Sequence, residues 1–143
     1  MEFLAYLNAE SREIYHLISR RTTIVENAYV CKKYDIFGYY NRTSNKMTIC
    51  TDRILVSENP GIYINQTFLH EATHLAQACR QGMKSFKAFG LARQSIELSS
   101  GQRQDLAKVV AKYGRIAEDY EREAFWLEDK PNEVKYVVRK YCL

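Results

Sequence analysis

Residues 68–77 read Phe68-Leu69-His70-Glu71-Ala72-Thr73-His74-Leu75-Ala76-Gln77, with His70-Glu71-Ala72-Thr73-His74 forming the pattern HExxH. On a helix, positions i and i+4 lie one turn apart on the same face, so both imidazoles can point at one cation. Glu71 follows His70 directly and projects beside such an ion, where a carboxylate can hold a water and take its proton. A bound zinc ion lowers the pKa of its water towards about 7, which makes a nucleophile at neutral pH. Phe68, Leu69, Ala72, Leu75, Ala76 and Cys79 give the segment an apolar side at helical spacing. The pattern predicts a helix over 62–81, preceded by the turn Asn59-Pro60-Gly61 and stopped by Gly82.

Upstream of this helix the periodicity changes. Phe3, Leu4, Leu7, Ile14, Leu17 and Ile18 recur at helical spacing over 2–20, and Arg20 and Arg21 suit a helix C-terminus. Thr22-Thr23-Ile24-Val25 and Ala28-Tyr29-Val30-Cys31 are β-branched or aromatic and read as strands. Segments 37–40 and 46–50 flank the polar run Asn41-Arg42-Thr43-Ser44-Asn45, the pattern of a hairpin. Downstream, helices are predicted over 85–98 and 102–129, divided by Ser99-Ser100-Gly101. Pro131 opens a last one over 132–141. The order is an N-terminal helix, a small mixed or antiparallel sheet, the active-site helix and C-terminal helices. That is an α+β class in a single domain, 1–143.

Composition narrows the function classes. The 143 residues hold 46% hydrophobic residues, 2 Pro and 6 Gly, which excludes a disordered or collagen-like chain. No apolar run is long enough for a membrane span. The opening Met1-Glu2-Phe3-Leu4-Ala5-Tyr6 lacks the basic start of a signal peptide, and a cytoplasmic protein is expected. A net charge of +4 is too small and dispersed to point to nucleic acid. The basic run 135–140 reads as a terminal helix that docks its Val and Tyr residues. Cys31, Cys50, Cys79 and Cys142 form no CxxC pair, and reduced, packed thiols are expected.

A catalytic zinc takes three protein ligands and keeps one position open. Of the three histidines, only His16 lies outside the motif, and it is far upstream. Gln77 and Arg80 stand where the longer HExxHxxGxxH pattern would place glycine and a third histidine. A carboxylate is the alternative, and the acidic run 118–129 supplies candidates. Leu106, Val109, Val110, Tyr113, Ala117, Tyr120, Ala124 and Leu127 mark a buried stripe on a continuous helix. Glu123 falls roughly 70° from its centre at about 100° per residue, Asp119 is further out and Glu118 is nearly opposite. Glu123 is the favoured third ligand; Asp119, Glu121, Glu128 and His16 are the other candidates.

The motif at 68–77, followed by Glu123-Ala124-Phe125-Trp126, resembles the gluzincin metallopeptidases, which carry HExxH on one helix and a ligand glutamate on a later one. The resemblance covers about 25 residues and extends to the domain size of minimal, zincin-like members of that superfamily. It implies that His70, His74 and Glu123 bind one Zn2+ and that Glu71 is the general base. Two positions depart from the pattern. The gap between His74 and Glu123 is long, and Leu127 replaces the aspartate that often supports a ligand histidine. The resemblance further implies an edge strand before the active-site helix that pairs with an extended substrate, for which 46–51 is the candidate beside an ordinary hairpin role. Amide hydrolysis also needs an oxyanion donor, for which Tyr113, Arg115 and Tyr120 are available, Tyr120 being carried forward as the transition-state stabiliser. The expected function is a zinc-dependent metallopeptidase acting on a peptide or protein substrate. The alternative is a non-catalytic metal-binding regulator or adaptor on the same scaffold.

Overall fold

The computed structural model describes residues 1–91 and 93–143. Its described residues form an α+β arrangement of seven α-helices and one three-stranded mixed sheet. The chain opens with a 3-10 turn, Glu2–Tyr6, and helix α1, Ala9–Ile18, in place of one continuous helix. Asn8 starts α1 because its side chain accepts from Ser11 N at 2.9 Å. Phe3, Ile14 and Ile18 are fully buried, and the Phe3 ring meets Tyr15 and Phe68 at 6.1 and 6.2 Å.

Strand β1, Thr23–Glu26, runs parallel to β3, Lys46–Ile49, and β2, Gly38–Asn41, runs antiparallel to it. The order β1-β3-β2 makes β3 central, and Met47, Thr48 and Ile49 are all buried, as a strand covered on both faces requires. The expected hairpin is present. Asn45 (φ 49°) turns it, accepts from Thr23 N and Thr22 Oγ1 through its carbonyl, and donates to Arg21 O. The expected strand at 28–31 is instead a short helix, α2, Tyr29–Lys33. Asn27 takes a left-handed φ of 54° and breaks the extended run before β-propensity can act.

A short helix, α3, Thr51–Leu55, leads into α4, Pro60–Arg80, with Pro60 in its first turn. From Glu71 to Ala78 every residue of α4 is buried. A helix apolar or covered all round lies inside a core, and α4 is the central element, packed by β2, β3, α1, α6 (Glu118–Leu127) and α7 (Pro131–Cys142). Val134, Val137, Val138 and Cys142 are the buried stripe of α7.

Two helix expectations fail for identifiable reasons. Segment 85–98 is not a helix; its described residues hold only a 3-10 turn, Arg93–Ser95. Its apolar residues go to different places: Phe86 packs on Tyr40 and His74, Phe89 stacks on Tyr141, and Ile96 and Leu98 join Leu106 in a second small core. Tertiary bonds hold its backbone, including Lys87 N to Gln77 O and Arg80 Nη1 to Ala88 O. The predicted helix 102–129 is broken at Gly114, whose φ of 88° leaves the helical region, into α5, Ser100–Tyr113, a 3-10 turn and α6.

The cysteines also depart from expectation. Cys31 bonds Cys50 and Cys79 bonds Cys142, so the reduced state is corrected to two disulfides. Spacing along the chain carried no sign of this, because α7 brings Cys142 beside the end of α4 only in three dimensions. No helix among the described residues is long and apolar enough to cross a membrane.

Candidate metal centre

The i, i+4 spacing on α4 does bring the two histidines together, with ring centroids 4.9 Å apart. Ligand atoms of His70, Glu71 and His74 lie within 4.8 Å of one another. The residue that touches both imidazoles, however, is Glu121. Its Oε1 is 2.6 Å from His74 Nε2 and its Oε2 is 3.5 Å from His70 Nε2. Glu121 is on α6, and with Phe125 and Glu128 it occupies one face at i, i+4 and i+7.

Each imidazole is held from behind. His70 Nδ1 lies 3.1 Å from Glu128 Oε2, and Gln102 Nε2 donates to the other Glu128 oxygen at 3.0 Å. His74 Nδ1 lies 2.8 Å from Gln77 Oε1. Both Nδ1 atoms are thus engaged and both Nε2 atoms converge on Glu121. Two imidazole nitrogens and a carboxylate are a donor set that suits zinc, and hydrogen-bonded Nδ1 atoms are the usual support of ligand histidines.

The structure does not bring Glu123, the favoured third ligand, to the imidazoles. It is buried, as helix phase indicated, at 2% exposure. Its carboxylate is filled by four donors: Phe89 N at 2.8 Å and Gln77 Nε2 at 3.1 Å on Oε1, Gly90 N at 3.1 Å and Leu91 N at 3.2 Å on Oε2. Those bonds satisfy its lone pairs and leave none for a cation. Asp119 is exposed and pairs with Arg93 at 3.0 Å. His16 is exposed on α1. Glu128, another of the carboxylates weighed for the third position, stands behind His70. Its seven-residue offset from Glu121 puts the two carboxylates on one side of the helix.

Electrostatics mark the cluster. Burial opposes charge on His70, but the carboxylates of Glu121 and Glu128 outweigh it and raise its pKa well above the usual value. His74 is raised in the same way, burial being overcome by Glu121. Burial would raise Glu121, yet the two imidazoles hold it far below the carboxylate range. Glu71, 6% exposed, is raised by burial, with the histidines pulling it down and Glu121 and Glu128 pushing it up.

The cluster opens into a cleft of about 990 Å3 lined by β2, α2, α4, α5 and α6. Tyr120 lines it with its ring 5.8 Å from His74, and burial keeps its phenol protonated to higher pH. Tyr113 also lines the cleft, while Arg115 is exposed and does not. The expected substrate strand, 46–51, is corrected: β3 is central and paired on both sides, and the strand with a free edge on the cleft is β2. Cys50 N donates to Phe37 O at 2.8 Å. Antiparallel alternation then turns the main-chain groups of Tyr39 and Asn41 towards β3 and those of Gly38 and Tyr40 away from it. Gly38 allows β2 to lie against α4, since a Cβ there would be 2.5 Å from Thr67 Cγ2 and 3.3 Å from Glu71 Cγ.

No curated protein and no solved structure matches this chain. A family model described as a domain of unknown function (DUF8637) matches residues 3–143, and the chain belongs to that family.

Proposed function

We propose that this chain is a zinc-dependent peptidase in which His70, His74 and Glu121 hold one metal ion and Glu71 is the general base. The observation that carries the reading is the Glu121 carboxylate set across both Nε2 atoms, with Glu71 beside them at the floor of an open cleft. Zinc bound there would supply a polarised carbonyl and a water acidified towards about 7. Glu71 would take the proton of the attacking water and deliver it to the leaving amine as the C–N bond breaks. Burial lifts the carboxyl of Glu71, which suits a group that must accept and return a proton. The Tyr120 phenol, on the cleft wall beside His74, would donate to the developing oxyanion. An extended substrate would add to the free edge of β2 through the main-chain groups of Gly38 and Tyr40.

The test combines elemental analysis with a peptide-library digest. Wild type is expected to carry one zinc per chain and to cleave. Glu71→Gln should keep the metal and lose about 10²- to 10⁴-fold in kcat. A chain without bound metal overturns the proposal; a zinc-bound chain that cleaves nothing favours the non-catalytic regulator.

A further inference from the structure

We infer that Glu123 is a positioning residue for the metal centre, acting on His74 through Gln77; this rests on the proposed ligand set. The chain of contacts runs in one direction only. Gln77 is fully buried, and its Nε2 donates to Tyr120 O at 2.8 Å and to Glu123 Oε1 at 3.1 Å. A carbonyl and a carboxylate can only accept, so both amide hydrogens must face them. The amide oxygen is then turned to His74 Nδ1, 2.8 Å away. An amide oxygen also only accepts, so Nδ1 must carry a hydrogen. With Nδ1 as the donor, the lone pair of the neutral ring sits on Nε2, the nitrogen that faces Glu121 at 2.6 Å. Glu123, with the Tyr120 carbonyl, therefore fixes the amide orientation, and the amide selects the tautomer that can bind metal through Nε2.

The far end of the chain of contacts is the backbone at 89–91. Phe89, Gly90 and Leu91 donate three amide hydrogens to Glu123, and Gly90 holds a φ of 89°. Segment 82–91 is thereby connected to the ring of His74, and its amides answer the buried charge of Glu123.

Gln77→Met and Glu123→Gln test this, read by zinc affinity in chelator competition, the visible spectrum of the cobalt-substituted protein and thermal unfolding. Gln77→Met keeps the side-chain length and leaves the Glu123–loop bonds in place. Both variants are expected to lose about 10- to 100-fold in zinc affinity and to change the cobalt spectrum. Arg80→Gln is the control, because Arg80 Nη1 holds the same segment at Ala88 O from outside the relay. It should lower the unfolding temperature and leave zinc affinity unchanged. Wild-type affinity and spectrum in Gln77→Met overturn the inference, as does an equal loss in Arg80→Gln. Failure of the wild type to take up zinc overturns the ligand set beneath it instead.

Discussion

His70 Nδ1 sits 3.1 Å from Glu128 Oε2, across 58 residues of chain, and that contact turns the other ring nitrogen towards Glu121. The support for His70 thus comes from the C-terminal end of α6, just past its last helical residue. Glu128→Gln should keep the fold and weaken zinc binding by about 10- to 100-fold, since an outer carboxylate orients its histidine and raises its basicity. Chelator competition measures this; an unchanged affinity would show that the charge of Glu128 adds nothing to zinc binding.

Gly38 of β2 lies tightly against α4. Gly38→Ala would press a Cβ against Thr67 Cγ2, a β-branched side chain with little room to rotate. The expected cost is about 1–3 kcal/mol of stability, as in other overpacked sites. Thermal unfolding reads that cost. A rise in KM for peptide cleavage with zinc content unchanged would show that β2 has moved as the substrate edge.

Both disulfides should be present in the native protein. Thiol titration of unreduced, denatured chain is expected to find none of the four cysteines free. Reduction should destabilise it by about 2–5 kcal/mol per bridge, the usual range for a small domain. Cys79–Cys142 ties the end of α4 to the last helix, so its loss should loosen the packing of α7 first. Hydrogen exchange of residues 131–142 would show it.

Metal and protons compete at the imidazoles. In the metal-free chain His70 and His74 have raised pKa values. The stability they contribute is fully present below the unfolded histidine value of about 6.5 and is lost as pH rises through the folded values. Zinc needs both rings deprotonated, so its affinity moves the opposite way. The metal-free protein should unfold at falling temperature as pH rises above about 6.5, while the gap to the zinc-loaded protein widens. Calorimetry across that pH range checks the sign, and proton release on zinc uptake, read in two buffers, confirms it.

Local patterns were legible where one element sufficed. The HExxH helix, the hairpin and the last helix each follow from their own spacing, and the α+β order follows from their succession. The errors lie where a residue answers to a distant partner. Segment 85–98 has helical spacing, but its side chains are claimed by three different surfaces. The stripe drawn through 106–127 assumed one helix, and Gly114 breaks it. Helix phase places Glu123 inside, where the structure has it, but does not say what it meets there: Gln77 and the backbone of 89–91.

By itself the sequence determined the chemistry on α4: two imidazoles one turn apart with a carboxylate between them, a consequence of helical period alone. It also directed the expectation of a third ligand to the acidic helix, since only one further histidine was available. Tertiary structure decided which acid faces the imidazoles. Packing of α6 against α4 aims Glu121 and Glu128 at the imidazoles and Glu123 at the backbone of 89–91. Glu121 and Glu123 are two residues apart, about 200° around α6, so the face that α6 turns to α4 decides which of them meets the imidazoles.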